Sequence, residues 1–517
     1  MKKVILKYYL FLPLLFLCFF YGYKSLWFPI HDFNNYYFGG SFLADGNFNF
    51  KIYFPYEFNK AIANAGSLNV FASYAPNTPF LALLFAPFSL LPIAIAKLIF
   101  NSISTLLFVY SLKKLADFYE IEPVYLLLIP ILFFIPIKNE ILFGQVYFLL
   151  FFLLSECLIA FEENKHKKMA AYLSLSIAIK IFPILFILYF LFRRQLQPIL
   201  HTVLFTTFFV LITLPFVSID TWIFYVEHVL SKASKGEITA AFVDNYQSML
   251  MFLKRCFVFD ATENPNVLSE SIMLFSGFLM AFKIAVIALG YYLSTRVSNK
   301  LFVFSYWIVS MIALSPYGST YTFILLLFSF IFIVKSNIPI WKKTSFFMLL
   351  FGINSVPISS IILEPFPFSY LRLFLVMLFF IAFIGFEYQK INFKITTLVC
   401  GLLSLVFSIT DKENNIESTL VLDKSPLLVY NYTISKTKLT YFYWDEKGSH
   451  SQSFLLKNSS LEQLTLQKNQ IFFKHKPITS DQSNKLKSML IDDSMILYLS
   501  DSKRGIGFFT LRKIELN

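Results

Sequence analysis

The chain has 517 residues, of which 57% are hydrophobic and only 15% charged, and its mean hydropathy is +0.64. A soluble protein of this size carries roughly a quarter charged residues, and the apolar surplus here falls in runs of about twenty residues, long enough to cross a hydrocarbon core; a water-soluble globule is excluded. The net charge of +13 does not point to nucleic acid, because Lys and Arg cluster in short loops between apolar runs, the distribution that orients membrane helices.

Spans are predicted near 8–28, 93–112, 123–137, 142–161, 169–180 with 183–192, 198–217, 271–293, 301–315, 319–335, 344–361, 369–386 and 391–409. The first is read as a retained helix, because its apolar run is long, aromatic and without a small-residue cleavage site. The run MAAYLSLSIAIKIFPILFILYFLF holds Lys180 and Pro183 in its middle. A straight helix would bury that lysine at a cost of a few kcal/mol or more. A hairpin broken at KIFP instead sets Lys180 at a tip.

With the hairpin, the chain makes roughly thirteen crossings and every basic loop falls on one side. These loops hold Lys2, Lys3 and Lys7, then Lys113–Lys114, Lys165–Lys168, Arg193–Arg194, Arg296–Lys300, Lys342–Lys343 and Lys390–Lys394. The loops 29–92, 138–141, 218–270, 316–318 and 362–368 fall on the other side. The first long loop ends in PNTPFLALLFAPFSLLP, read as an interfacial or re-entrant helix. The second contains two amphipathic stretches, DTWIFYVEHVLSKASK and DNYQSMLMFLKRCFVF. From about 411 the chain turns polar and alternating, with turn signals at WDEKG and SDSKRGIG. The expected architecture is a polytopic α-helical membrane protein of about eleven to thirteen transmembrane helices, residues 1–410, with a small β-rich extracytoplasmic domain, 411–517. Cys18, Cys157, Cys256 and Cys400 form no CxxC pair and are read as free packing residues. The 66 phenylalanines, with many Lys, Ile and Asn, fit an AT-rich bacterial genome.

Polar residues at the predicted outer ends form five groups. Asp32 lies in HDFNNYY, just past the first span. Glu140, Gly144 and Gln145 lie in KNEILFGQVYFLL. Lys180 forms the hairpin tip. Asp244, Asn245, Gln247 and Ser248 lie in DNYQSM, and Ser315 to Tyr321 form SPYGSTY. Any of these can be a helix cap or a solvated end, yet one layout places all five on one face. His31, beside Asp32 in an extended stretch, points the other way and is read as interfacial packing.

In this order and spacing the motifs resemble the GT-C superfamily of membrane glycosyltransferases, in particular glycosyltransferase family 87, the polyprenyl-phosphate-mannose-dependent α-mannosyltransferases. The resemblance covers roughly 28–330. The family's Asp after the first span is matched by Asp32, and its Tyr-Pro-Pro-like stretch by YAPNTPFLALLFAPFSLLP. Its Gly-Gln-x-Asn is matched by GQVY with Tyr147 in place of Asn, its Lys-x-x-Pro hairpin by KIFP, and its Asn-x-Gln-Ser-like motif by NYQSM. The family's Ser-Pro-x-Ser-Trp-x-His is represented only by SPYGSTY, so no histidine role carries over.

The resemblance implies transfer of a sugar, mannose or a related hexose or pentose, from a polyprenyl-phosphate donor to a lipid- or glycan-linked acceptor, with inversion. Asp32 would be the general base. Lys180, or Arg255 as the alternate, would meet the phosphate. Gln145, Asn245, Gln247, Tyr36, Tyr37 and Tyr74 could bind sugar hydroxyls and faces. No Asp-x-Asp pair accompanies Asp32, so neither metal nor cofactor is demanded. The implied partners are the lipid-linked donor, a glycan or glycolipid acceptor and membrane lipids, not nucleic acid; the implied place is a bacterial cytoplasmic membrane, with site and tail outside. A transporter or lipid-linked-sugar flippase would also show broken helices and an intramembrane lysine, and an envelope scaffold led by the tail is a third reading.

Overall fold

The computed structural model describes residues 9–390 except 68–69, 241, 244 and 261–262. Beyond 390 it describes 401, 403–404, 419–420 and, with short interruptions, 428–516. Most of the expected span at 391–409, together with Asp244, Cys400, Lys394 and the three N-terminal lysines, lies outside the described residues.

The described part up to 390 is helical. Among the described residues, three helices are long and apolar enough to cross a membrane: Ile93–Phe118, Ile272–Arg296 and Phe368–Glu387. A fourth candidate is the pair Pro123–Leu132 and Phe134–Phe143, bent by 63°. Shorter apolar helices occupy Leu12–Lys24, Pro79–Leu90, Phe182–Phe192, Leu196–Leu211, Lys300–Leu314 and Thr320–Lys335. Some present leucine and phenylalanine outward, as Leu200, Leu204 and Phe208 do, the pattern of a lipid-facing surface. The largest core gathers around Lys300–Leu314 and Thr320–Lys335, both almost wholly buried.

The run around Lys180 breaks at KIFP. One helix ends at Ile179, Lys180 is extended (φ −140, ψ 125), and a 3-10 turn starts at Phe182. Contacts at its two feet show that the arms return to one end. Lys300 Nζ donates to the carbonyls of Phe161 (2.7 Å) and Glu162 (3.1 Å), next to the start of the first arm. Arg193, at the end of the second, donates to the carbonyls of Ser294 (2.5 Å) and Val297 (2.8 Å), just before Lys300. Lys114 and Lys168 both meet Glu156 at this end. The basic loops at 113–114, 165–168, 193–194 and 296–300 therefore share one end of the bundle.

One expected loop is corrected. Residues 138–141 are helical, inside Phe134–Phe143, and the chain turns at Gly144 instead. The polar run KNE reads as a loop in sequence, but its side chains have work inside the fold. Glu140 accepts the N–H of Phe148 (2.9 Å) at the start of Tyr147–Glu162, satisfying one of the unpaired donors of a helix N-terminus.

After residue 418 the described chain is β. A five-stranded antiparallel sheet runs, edge to edge, Thr419–Leu420, Thr510–Glu515, Met495–Ser500, Lys485–Ile491 and Leu461–Gln463. Two three-stranded sheets accompany it: Leu428–Ser435, Lys438–Asp445, Gly448–Leu455, and Thr465–Gln467, Gln470–Phe473, Lys476–Pro477. The turn signals at WDEKG and SDSKRGIG do join strands of the same sheet.

This β-rich region packs on the two long loops. Lys232, in the helix Leu230–Ser234, donates to the carbonyls of Asp501 and Arg504 (both 2.7 Å) and to Asp501 Oδ1 (3.1 Å). Asp501, fully buried, also accepts from the backbone of Asn484 and of Gly507 (both 2.8 Å). Tyr56 of the first loop stacks on Tyr430 at 4.3 Å.

Candidate functional site

Two features of the local chain bring Asp32 to its place. The helix Phe33–Ala44 begins directly after it, but its carboxylate caps nothing. It is turned instead toward Gln145, whose Nε2 donates to Asp32 Oδ2 at 2.5 Å. Gln145 Oε1 accepts from the hydroxyl of Tyr36, also at 2.5 Å. An ionised carboxylate can only accept, so the amide turns its Nε2 to Asp32 and its Oε1 to Tyr36, whose hydroxyl, able to donate or accept, here donates.

Gln145 reaches Asp32 because the preceding helix stops abruptly. Gly144 takes a left-handed conformation (φ +67), and a Cβ built there would stand 2.9 Å from Cβ of Phe33. Glycine is the residue that allows both the turn and the approach. The carbonyls left open at the helix end are met from the helix Ile93–Phe118. Lys97 Nζ donates to the Leu142 carbonyl (2.6 Å) and Asn101 to that of Ile141 (2.9 Å).

Asp32 lines a cavity of about 540 Å³. Its other walls come from distant parts of the chain: Lys138 and Asn139, Asn245 and Tyr246, Ser319 to Tyr321, Val356 to Pro357, and Arg372. Arg372 is fully buried at the head of Leu371–Ile384. Its guanidinium donates to Thr320 Oγ1 (3.3 Å) and to the Val356 carbonyl, and its Nε has no partner among the described residues. The cavity thus sets one acid against two bases.

Burial is the largest influence on the Asp32 carboxyl and pushes its pKa up. The bond from Gln145, then the charges of Lys180 and His31, pull it back only in part. The acid therefore keeps a proton to higher pH than a solvated aspartate.

The five sequence groups meet at this end of the bundle. Asp32 meets Gln145 directly. Asn77 and Thr78, in the PNTP segment, meet the hairpin tip: Lys180 Nζ donates to Asn77 Oδ1 (3.0 Å), and Thr78 donates to the Ala178 carbonyl. Lys180 Nζ also lies 5.7 Å from the centre of the Tyr36 ring. Ser248 donates to the Pro316 carbonyl (2.7 Å). Gly318 (φ +59) brings its backbone so near that an added Cβ would stand 2.5 Å from the Gln247 carbonyl oxygen.

The site residues named from sequence divide. Asp32 and Asn245 line the cavity; Gln145, Tyr36 and Lys180 adjoin it through the Asp32 network. Others are placed differently. Tyr74 is fully buried, bonded to the Thr78 carbonyl (2.7 Å) and packed against Tyr53 and Phe48, so it has no free ring face for a sugar. Tyr37 bonds the Leu91 carbonyl (2.9 Å). Gln247 donates to the Ser369 carbonyl (2.8 Å), behind the wall. Arg255 donates to the Glu263 carbonyl (2.6 Å) and covers the Phe242 ring, outside the cavity lining. His31 is exposed and packs on Phe28 and Phe143. Lys138, Tyr246 and Arg372 went unnamed in the sequence. Arg372 carried a signal: a lone arginine opening an apolar span is costly unless it has a task. Among the described residues no cluster of three or more His, Cys, Asp or Glu could hold a metal ion.

These features define a helical membrane protein whose polar residues converge on a cavity at one end of the bundle. Residues 75–316 match the model of glycosyltransferase family 87, just under half of the chain. The resemblance drawn from the short motifs is borne out by this match, which indicates a glycosyltransferase and is consistent with the GT-C superfamily. Asp32 and Arg372 lie outside the matched stretch. A comparison with curated proteins gives no match.

Proposed function

We propose that the chain moves a sugar, mannose or a related hexose or pentose, from a polyprenyl-phosphate donor to a lipid- or glycan-linked acceptor. Asp32 takes the proton of the acceptor hydroxyl as that oxygen attacks the anomeric carbon. The bond from that carbon to the phosphate oxygen breaks, and the lipid phosphate leaves. A single displacement inverts the centre. The observation that carries this reading is the Asp32 carboxylate on the wall of a cavity that also holds two cations.

Sequence alone favoured Lys180 for the phosphate. Lys180 is engaged by Asn77, whereas Arg372 and Lys138 line the cavity. Arg372 is therefore assigned to the departing phosphate, whose oxygens suit a guanidinium fork, and Lys180 to the electrostatic support of Asp32. No cofactor is invoked. The end bearing the basic loops is assigned to the cytoplasm of a bacterial cell by the positive-inside rule. Cavity and β-rich region then face outward.

The test is transfer of label from a radiolabelled polyprenyl-phosphate sugar by membranes holding equal amounts of wild type or Asp32→Asn. Loss of transfer supports the base; unchanged transfer removes Asp32 from the reaction. Impermeant maleimide should label Ser451→Cys on intact cells, and protection from it would reverse the orientation.

A further inference from the structure

The three-stranded sheet Leu428–Ser435, Lys438–Asp445, Gly448–Leu455 has two unlike faces. Leu439 and Tyr441 are buried on one, with Tyr432. Phe442 and Trp444 alternate with them and are only half-buried on the other. Tyr430 joins that second face, 6.3 Å from Phe442 between ring centres and hydrogen-bonded to the hydroxyl of Ser449.

Tyr56, reaching up from Pro55–Asn64 of the first long loop, extends the row. It lies parallel to Tyr430 (4.3 Å, 11°) and edge-on to Trp444 (6.0 Å). The row is thus continuous with the contact between the β-rich region and the membrane part.

The third strand sets hydroxyls beside the rings. Ser449 stands opposite Trp444, Ser451 opposite Phe442 and Ser453 opposite Thr440. Directly paired residues share a face, and these three serines are exposed.

We propose that this face is a binding platform for a neutral glycan, the carbohydrate portion of the acceptor. A sugar ring offers a C–H face that packs on an aromatic ring and a rim of hydroxyls that needs partners at the edge. The sheet supplies both in register, rings in one row and serines in the next. A lipid surface would match the rings and make no use of the hydroxyl row, in which Ser449 bonds Tyr430 and Ser453 bonds Thr440 (2.9 Å) while each keeps lone pairs for a further partner. The acceptor role rests on the transferase reading, while binding itself does not depend on Asp32.

The experiment uses the full chain in detergent, titrated with neutral gluco-, galacto- and manno-hexaoses and followed calorimetrically. Wild type and Asp32→Asn should bind at least one hexaose alike. Trp444→Ala should weaken that binding by about tenfold, the loss of one aromatic contact. Ser451→Arg, at an exposed position where folding is not at stake, should weaken it as much. The platform is overturned if wild type binds no hexaose, or if both variants bind as well as wild type. It is also overturned if Trp444 governs partition into phosphatidylglycerol vesicles while hexaoses go unbound. Hexaose binding with full transfer by Asp32→Asn would sink the base and spare the platform. Loss of transfer in Asp32→Asn with no hexaose bound would do the reverse.

Discussion

Gln145 holds Asp32 across 113 positions of sequence, amide nitrogen to carboxylate oxygen at 2.5 Å, and in the same posture takes the hydroxyl of Tyr36. Replacing it by leucine leaves the carboxylate without its oriented donor. Hydrogen bonds to charged groups contribute about 1.5–3 kcal/mol, so transfer by Gln145→Leu should fall by roughly ten- to a hundredfold. Its acid limb should also move to higher pH, because a contact that favoured the ionised form is gone. A fall in rate with an unmoved limb would mean that Gln145 only packs.

The pH dependence of the wild type follows from the same carboxyl. Its pKa is raised in the fold, burial being the main cause. A base must be ionised, so transfer should fall as pH drops through that raised value, above the ordinary aspartate value of about 3.9. The sign for stability is the reverse. The folded state binds this proton more tightly than the unfolded chain, so the stabilisation is complete at low pH and lost as pH rises through the folded value. Asp32→Asn, neutral at every pH, should melt no lower than wild type at neutral pH while losing transfer. A markedly lower melting temperature would place Asp32 among the supports of the fold.

Arg372 lies at the cavity with a buried guanidinium. Lysine keeps the charge and loses the fork, so Arg372→Lys should raise KM for the donor by roughly tenfold with a smaller change in kcat. Equal kinetics would leave Arg372 as a tie between Thr320 and Val356. Lys180→Met offers the contrast: its effect should appear as a shift of the pH limb rather than in donor KM.

Gly144→Ala tests the turn that delivers Gln145. A left-handed alanine costs about 1–2 kcal/mol, and its methyl would press on Phe33, the neighbour of Asp32. Melting temperature should fall and transfer should fall with it. An alanine variant with normal transfer would show that the turn tolerates displacement.

The seat of the β-rich region depends on Lys232 and Asp501, whose side chains are 14% and 0% exposed. Removing one partner strands a buried charge, typically at about 3–5 kcal/mol. Lys232→Met should make the sheet region far more sensitive to limited proteolysis than in wild type. Identical digestion patterns would show that the aromatic contacts at Tyr56 suffice.

The long-range plan was legible because it rests on composition and order. Apolar runs gave the helices, and the mid-run Lys180 with Pro183 gave the break, since lipid penalises any other arrangement of that lysine. The motif around Asp32 and the Gly-Gln pair could be named without coordinates. The walls of the cavity could not. Lys138 sits in a run that reads as a loop, and only the Gly144 turn shows that it belongs to a helix. Tyr74 and Arg255 had the right chemistry for a sugar and a phosphate, but backbone carbonyls nearby had already engaged them. Sequence displays a side chain's capacity and conceals its local partners.

The hairpin at Lys180 has both feet planted at the basic end, Lys165 to Lys168 on one arm and Arg193–Arg194 on the other. During insertion, a run of this length would ordinarily thread through as one crossing. Here that outcome would carry Arg193 and Arg194 to the far side, against the bias that keeps the Lys and Arg of short loops on one side. The two feet act as paired anchors: with both held at the basic end, the chain leaves the hairpin on the side from which it entered.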